Sequence, residues 1–228
     1  MEIKLLTYTP DPELIVAAAA RVSTSPSSPS LLRAKMTPEA AGKLLRLLIQ
    51  AEHLSPLEHA NFTFSIEGIS RVASHQLVRH RMASYTQQSQ RYVNLKEPKY
   101  ITPRSIAMSP FRAKFQEQAS QAYQLYGEMV AAGVPMEDAR FVLPEAADTQ
   151  LVMTMNAREL LHACSQRLCD RAQWEIRELF TQVKLAVSTV APTIGDELKP
   201  KCYKLSYCDE MKSCGLFPTL ADFPHAGG

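Results

Sequence analysis

The chain has 228 residues, of which 46% are hydrophobic and 21% are charged, and its formal net charge is +2. This composition is typical of a globular protein and excludes the disordered, collagen-like and disulfide-scaffold classes. No apolar run approaches the ~20 residues of a membrane helix, the first ten residues lack the layout of a signal peptide, and the five cysteines are expected to be reduced in a cytoplasm.

Periodicity and helix-start signals predict helices and strands in a mixed order. Phe62, Phe64 and Ile66 alternate with other residues, which is typical of a strand. Asn156-x-x-Glu159 and Asp170-x-x-Gln173 resemble capping boxes, which begin helices. The predicted elements, in chain order, are a strand over 3–9, a helix from Asp11-Pro12-Glu13 to Arg21, a loop over 23–30, a helix from Thr37-Pro38-Glu39 to about 52, a turn over 53–61, a strand over 61–66, a helix over 70–82, a polar loop over 84–90, a helix over 111–131, a short helix from 135, a strand over 151–155, and helices over 157–165 and 171–188.

The mixed order of these elements favours an α+β fold over a βαβ alternation. We expect a single domain over residues 1–228, with a cysteine-containing extension from about 196. The sequence has no GxGxxG or GxxxxGK[ST] motif, so any nucleotide would have to be held in another way.

A basic segment over residues 69–96 contains four arginines, one lysine, two histidines and no acid. Such a block favours an anionic partner. Arg79, His80 and Arg81 are consecutive within the predicted helix, where neighbouring side chains point about 100° apart. They cannot all face one small ligand, so they would bridge two ligands, or a ligand and a neighbouring subunit.

A second part of this segment has the chemistry of a phosphate site. Ser89, Gln90 and Arg91 follow the polar loop, and a hydroxyl, backbone amides and a forked guanidinium together suit a phosphate. On charge alone, a solvated basic face at a helix end is an equally good interpretation. The apolar neighbours Val72 and Leu77 argue against full exposure of every arginine.

Arg79-His80-Arg81, seven further residues and Ser89 together resemble the signature of the flavin-dependent thymidylate synthases. The resemblance continues in blocks that lie in order over about residues 50–180. These blocks are His53-x-Ser55-Pro56-x-Glu58-His59, Phe62-Thr63-Phe64, Ser89-x-Arg91-Tyr92, Ala139-Arg140-x-Val142-Leu143-Pro144, Asn156-Ala157-Arg158, Arg167 and Ala172-Gln173-Trp174-Glu175-Ile176. Such an ordered set is far more specific than any single short motif.

The resemblance implies a reaction and an assembly. This family methylates dUMP to dTMP with 5,10-methylenetetrahydrofolate as the carbon donor, and FAD reduced by NADPH supplies the hydride. The family forms homotetramers, with a mostly antiparallel sheet flanked by helices and with active sites where subunits meet. The implied partners are the dUMP and folate substrates and other copies of the chain, with no nucleic acid, no membrane and no metal.

The resemblance also implies the site residues. Those expected to contact FAD are His53, Ser55, Arg79, His80, Arg81, Gln87, Asn156, Arg158 and His162. Those expected at the dUMP site are Gln76, Arg79, Gln87, Gln88, Ser89, Gln90, Arg91, Arg140 and Arg167. Many relatives carry Asn and Glu where this chain has Thr86 and Gln87, and Gln87 cannot supply a charge.

Arg167 is the residue expected to be catalytic. Methylation at C5 of a pyrimidine needs electron density at that carbon, and conventional thymidylate synthases obtain it by cysteine attack at C6. Here Cys164 and Cys169 lie in a predicted helical region with no Pro-Cys-His context. By the resemblance, Arg167 meets the uracil ring and favours its ionised form, because a guanidinium stabilises developing negative charge.

Two other functions stay open from the residues alone. The first is a single-strand RNA or DNA binder that uses the basic segment with Tyr85 and Tyr92 as stacking platforms, although the small net charge weakens it.

The second is a zinc-stabilised interaction protein centred on the tail. Cys202, Cys208 and Cys214 are separated by five residues each, which is wider than the roughly two to four residues usual in structural zinc sites. His225 would supply the fourth ligand. A packed set of reduced thiols is the simpler expectation.

Overall fold

The computed structural model describes residues 1–95 and 97–223. Four strands form one sheet: β1 (Glu2–Tyr8), β2 (Asn61–Ser70), β3 (Ala83–Gln87) and β4 (Asp148–Asn156). Their order across the sheet is β1-β2-β4-β3, and the sheet is antiparallel. Together with the helices around it, this sheet confirms the predicted α+β class.

The helices are α1 (Pro12–Val22), α2 (Pro29–Lys35), α3 (Pro38–Gln50), α4 (Arg71–Leu77), α5 (Arg104–Ala107), α6 (Arg112–Ala131), α7 (Met136–Ala139), α8 (Ala157–Arg167), α9 (Trp174–Val190), α10 (Pro192–Glu197) and α11 (Lys201–Leu205), with 3-10 turns at Ser55–His59, Arg140–Val142 and Leu220–Asp222. Several starts follow from local chemistry. Thr37 accepts the N–H of Ala40 at 3.2 Å, and Asn156 accepts the N–H of Glu159 at 2.9 Å, so both cap free amides as predicted.

The described chain divides into two compact units. The first unit comprises Met1–Glu2, Ser65–Arg79 and Tyr85–Met153, and the second comprises Ile3–Phe64, His80–Ser84 and the chain from Thr154 onward. The boundaries of a single domain stay a prediction.

Each unit has its own buried apolar side chains. In the first unit α6 packs against α7 and the turn that follows it, and Tyr126 is fully buried. In the second unit α1 packs against α3, and α9 packs against α8 and α10. Phe62, Phe64 and Phe180 are fully buried there, so the alternating residues predicted as a strand do place one face in a core.

The basic motif is not helical, which corrects the prediction of a helix over 70–82. Helix α4 ends at Leu77, and Arg79, His80 and Arg81 follow it in irregular backbone. The hydroxyl of Tyr85 donates to the backbone carbonyl of Leu77 at 3.0 Å. This bond gives a partner to one of the carbonyls that have none within a helix at its C-terminal end.

The predicted polar loop over 84–90 is also wrong, because most of it is strand β3. Gln88 N–H donates to Gln150 O at 2.9 Å, and the side chain of Gln87 donates to Thr149 Oγ1 at 3.0 Å. This strand lies at an edge of the sheet. An edge strand can carry polar residues, so its composition resembles that of a loop.

Three helix-start predictions also need correction. The loop over 23–30 ends earlier, because Pro29 already begins α2. Asp11 precedes α1 but its side chain does not cap the helix and instead pairs with Arg33 at 2.5 Å. Helix α9 starts at Trp174 with Gln173 as its cap, while Asp170 pairs with Arg177 at 2.6 Å.

Candidate active site

Three polar side chains, two of them buried, contact one another in sequence in the second unit. His80 accepts a hydrogen bond at its Nε2 atom from Nε of Arg167 at 3.0 Å. On its other side, His80 Nδ1 lies 3.3 Å from Oε1 of Glu159. His80 and Glu159 are 4% and 8% exposed, so this contact is largely shielded from water.

The electrostatics of this chain fix the protonation of His80. Burial, together with the charge of Arg167 and the nearby His162, lowers the pKa of His80 to about 4. The ring is therefore neutral at pH 7. Because Nε2 accepts from Arg167, the single ring proton lies on Nδ1, the atom that faces Glu159.

Glu159 and Arg167 are perturbed by the same environment. Burial raises the pKa of the Glu159 carboxyl, and His162 and Arg158 partly oppose that rise. Burial also lowers the pKa of Arg167, but a guanidinium stays charged in proteins. Among the residues that the structure describes, no carboxylate pairs with Arg167, so its positive charge is available to a ligand.

Aromatic rings support His80 from two sides. The ring of Phe180 lies edge-on at a centroid distance of 5.8 Å, and that of His162 at 6.1 Å. His162 itself is exposed, and its Nε2 atom lies 3.1 Å from the amide nitrogen of Gln166. His162 is therefore not packed in a core, and its flavin role stays a prediction.

His80, Glu159 and His162 each offer a ligand atom, and these atoms lie within 4.8 Å of one another. The same distance would allow a metal ion. However, Arg167 already uses Nε2 of His80, and its positive charge opposes a cation at this position. We therefore interpret the group as a hydrogen-bonded chain.

Other residues predicted to contact FAD lie on the surface of the second unit. Arg158 pairs with Glu58 of the 3-10 turn. His53 and Ser55, at the start of that turn, are exposed. Arg81 is exposed as well, and no ion pair involves it within the described ranges 1–95 and 97–223. Asn156 uses its side-chain oxygen to cap α8.

The first unit brings Arg91 and Arg140 together at one acid, Glu137. Arg91 Nε lies 2.5 Å from Oε2 of Glu137, and Nε of Arg140 donates to the backbone carbonyl of Glu137 at 3.0 Å. Burial lowers the pKa of Arg71, Glu145 raises it, and Arg140 lowers it. Two guanidinium groups held at one residue, Glu137, favour a bound anion.

The remaining residues predicted at the dUMP site lie in the first unit. Ser89 Oγ accepts the N–H of Arg91 at 3.1 Å, which folds this loop tightly. Gln76, Gln88 and Gln90 are half-buried, and Gln87 is bound to Thr149. Arg79 is exposed. The assignment of all predicted site residues to FAD or dUMP stays a prediction.

Three residues of these clusters were not among the predicted site residues. Glu137 could have been predicted, because residues three apart on a helix lie next to each other and Glu137 lies three residues before Arg140. Glu159 was interpreted as the third residue of a capping box, whose side chain would turn back to Asn156; it contacts His80 instead. Arg71 was counted only as part of the basic segment.

Two surface pockets of about 310 and 340 Å³ lie elsewhere. The first contains Tyr100 and Asp148, and the second contains Arg21 and Leu32. Neither includes a predicted site residue. Among the described helices, none combines the length and apolar character that a membrane crossing requires.

Comparisons with known proteins agree on one family. The family model described as thymidylate synthase complementing protein matches residues 4–193. A flavin-dependent thymidylate synthase from Geobacter sulfurreducens is 49% identical over 218 residues, which is 94% of each chain. A protein of the same name from Clostridium tetani is 40% identical over 232 residues, covering 94% of this chain and 93% of that one.

A solved structure shows the same fold. The crystal structure of a UMP/dUMP methylase, PolB, from Streptomyces cacaoi bound with 5-Br dUMP matches with a TM-score of 0.76. It is 24% identical and covers 86% of this chain and 93% of its own.

Proposed function

We propose that the clusters described above bind the cofactor and the substrate of the flavin-dependent thymidylate synthases, the family to which the chain belongs. The enzyme methylates dUMP to dTMP and depends on FAD, with NADPH and 5,10-methylenetetrahydrofolate as co-substrates. When FAD is bound and reduced, it supplies the hydride for the new methyl group. The nucleic-acid-binding and zinc-interaction alternatives do not account for this membership.

The surface of the second unit fits FAD. FAD carries an anionic pyrophosphate, which guanidinium groups bind well. Arg81 is exposed and unpaired among the described residues, and Arg158 is half exposed beside Glu58. His53 and Ser55 add exposed polar side chains. We assign these residues, with Arg79, His80, Asn156 and His162, to the cofactor.

The arginines of the first unit suit the dUMP phosphate. Arg91 and Arg140 are both anchored to Glu137, one through its carboxylate and one through its carbonyl. This anchoring restricts two flexible side chains before a ligand arrives, which lowers the entropy cost of binding. Ser89 and the neighbouring amides, with Gln76, Gln87, Gln88 and Gln90, complete the nucleotide site in this proposal.

Arg167 carries the chemistry of the pyrimidine. Its guanidinium is held by a neutral His80 and has no carboxylate partner among the described residues. This one observation carries the proposal, because an unpaired and oriented positive charge can stabilise the negative charge that builds on a uracil ring as C5 becomes nucleophilic. In this proposal His80 and Glu159 position Arg167, because His80 accepts from its Nε and Glu159 lies beside the opposite side of the His80 ring.

We also propose that four copies of the chain assemble and that each active site takes residues from several copies. The exposure of Arg79, Arg81 and His53 in one chain supports this proposal, as does the location of the two surface pockets away from them. A cytoplasmic location is part of the same proposal, and it agrees with five free cysteines among the described residues.

Release of the C5 hydrogen of dUMP by purified protein tests the proposed function. With FAD, NADPH and the folate co-substrate, the wild-type protein is expected to release it and to form dTMP. Arg167→Ala is expected to lower the rate by ~100- to 1,000-fold, as for loss of one charge-stabilising donor, with flavin still bound. Arg112→Ala, on an exposed part of α6, serves as the control.

Wild-type protein that binds flavin but releases no hydrogen would contradict the proposed reaction. An Arg167→Ala variant with wild-type turnover would contradict only the role given to Arg167.

A further inference from the structure

A residue in an unusual backbone conformation connects α3 to the turn that begins at His53. Helix α3 ends at Gln50, and Glu52 follows it with a φ of 59°. Among the described residues other than glycine, only Asp11, Glu52 and Ser206 have a positive φ. A residue with a Cβ is disfavoured in this left-handed region, which glycine adopts freely. Glu52 therefore needs other contacts to hold it there.

The hydrogen bonds at the end of α3 depend on this conformation. The N–H of Glu52 donates to the carbonyl of Ile49 at 3.3 Å, and the N–H of His53 donates to the carbonyl of Leu48 at 2.9 Å. These two bonds form a Schellman motif, in which the residue at the position of Glu52 is left-handed and is usually glycine. His53 belongs to the motif and Ser55 follows it closely, so a change of backbone at Glu52 would move both.

A lysine from the tail, residues 198–223, holds the side chain of Glu52. Lys204 lies in α11, and its Nζ atom pairs with Oε1 of Glu52. The hydrogen bond from Lys204, followed by its charge, lowers the pKa of the Glu52 carboxyl. Within 1–95 and 97–223, Lys204 is the one residue that forms an ion pair with Glu52. The side chain of the left-handed residue is therefore fixed from the tail.

The tail has contacts of its own that fix the position of Lys204. Lys201, one turn earlier in α11, pairs with Asp209 at 2.9 Å. The rings of Tyr203 and Phe217 lie edge-on, with their centroids 5.1 Å apart. These contacts restrict α11 and so reduce the entropy that Lys204 loses when it pairs.

The cysteines of the tail do not explain how it is held. Among the described residues, the group around His80 is the only one in which three candidate metal ligands lie within 4.8 Å of one another. Cys202, Cys208 and Cys214 therefore form no such group. His225, the fourth ligand of the zinc interpretation, lies outside the described residues.

We propose that Lys204 is a positioning residue for the flavin site, because its pairing with Glu52 holds the left-handed backbone that places His53 and Ser55. This inference rests on the proposed function, from which it takes the assignment of His53 and Ser55 to FAD. The side chains of Lys204 and Glu52 are 54% and 68% exposed, and an exposed ion pair contributes little by itself. Here it has to offset only the conformational preference of one residue, so the expected effect on FAD affinity is small but measurable.

Titration of FAD into the flavin-free full-length protein, followed by flavin fluorescence, tests this role. Lys204→Ala is expected to raise the Kd for FAD by about 2- to 5-fold, the range of an exposed ion pair, and Lys204→Arg to keep a Kd near that of the wild type. In Glu52→Gly the left-handed conformation carries no penalty, so adding Lys204→Ala to it is expected to leave the Kd unchanged. Lys212→Ala, which removes another exposed lysine of the tail, is the matched control. Circular dichroism checks folding, and Lys204→Met should repeat the rise in Kd if Lys204→Ala does not fold.

Two results would overturn the role of Lys204 and leave the proposed function intact. One is an unchanged Kd in folded Lys204→Ala when the wild-type protein binds FAD. The other is an equal rise in Kd in the wild-type and Glu52→Gly backgrounds, because Lys204 would then act without Glu52. Wild-type protein that binds no FAD would instead contradict the proposed function, and the role of Lys204 would fall with it.

Discussion

Removing the carboxylate of Glu159 is the sharpest test of how Arg167 is positioned. In the structure the Glu159 carboxylate lies 3.3 Å from Nδ1 of His80, and Nε2 of His80 accepts from Arg167. A carboxylate at this position favours a proton on Nδ1, and Glu159→Ala removes that carboxylate. The proton can then move to Nε2, where it would face the N–H of Arg167 and break that hydrogen bond.

The distance between His80 and Glu159 sets the expected magnitude. A hydrogen bond to a charged group contributes about 1.5–3 kcal/mol, but 3.3 Å is long for such a bond. We therefore take about 1–2 kcal/mol, which corresponds to a decrease in kcat of about 5- to 30-fold. The KM for dUMP should change less, because neither His80 nor Glu159 is assigned to the phosphate.

Single-turnover release of the C5 hydrogen, at saturating dUMP, measures this effect. Glu159→Gln is expected to recover most of the lost rate, because it keeps a side-chain oxygen beside Nδ1 of His80. Glu178→Ala, on the exposed face of α9, is the control. A wild-type kcat in Glu159→Ala would refute the reasoning, and an equally low kcat in Glu159→Gln would show that charge, not the acceptor, matters.

Three further predictions follow from individual contacts. Arg91→Ala should raise the KM for dUMP by about 10- to 100-fold, the value of a charged hydrogen bond, while the flavin content stays constant; an unchanged KM would remove Arg91 from the phosphate site. Between pH 6.5 and about 4 an unfolded histidine binds a proton that folded His80 does not, so the free energy of unfolding falls with decreasing pH by up to about 3 kcal/mol. Denaturant titrations over this pH range should show a smaller fall for His80→Gln than for the wild-type protein. An equal fall in both proteins would be inconsistent with a neutral His80. In Gly195→Ala the new Cβ would lie 2.2 Å from Oγ and 2.7 Å from Cα of Ser188, so the free energy of unfolding should fall by about 1–3 kcal/mol, whereas Gly127→Ala, with nothing within 4 Å, should not be destabilised in the same melts.

The sequence was most informative where local chemistry decides the structure. Thr37 and Asn156 begin helices because their side chains accept nearby backbone amides, and this can be predicted from a few residues. Strand β2 could be predicted because Phe62 and Phe64 alternate with other residues, which places both on the one face that packs in a core. Strand β3 was missed because its polar residues are stabilised by pairing with β4, a partner that lies far away in the sequence.

The same limit applies to the clusters. The contact between His80 and Glu159 joins residues almost eighty positions apart, so neither the motif around His80 nor the helix start at Asn156 predicts it. Family resemblance suggested which residues matter, but their partners required the fold.

Histidine is the side chain by which many proteins respond to pH changes inside cells, but His80, the central residue of the basic motif, does not titrate in that range. Because burial holds its pKa near 4, the imidazole behaves as a rigid spacer with a fixed dipole throughout the physiological range. A fall in pH within this range therefore leaves unchanged the hydrogen bond from Arg167 to His80 that orients the guanidinium. Any variation of the enzyme's rate between about pH 6 and 8 has to arise from its substrates, its flavin or other side chains.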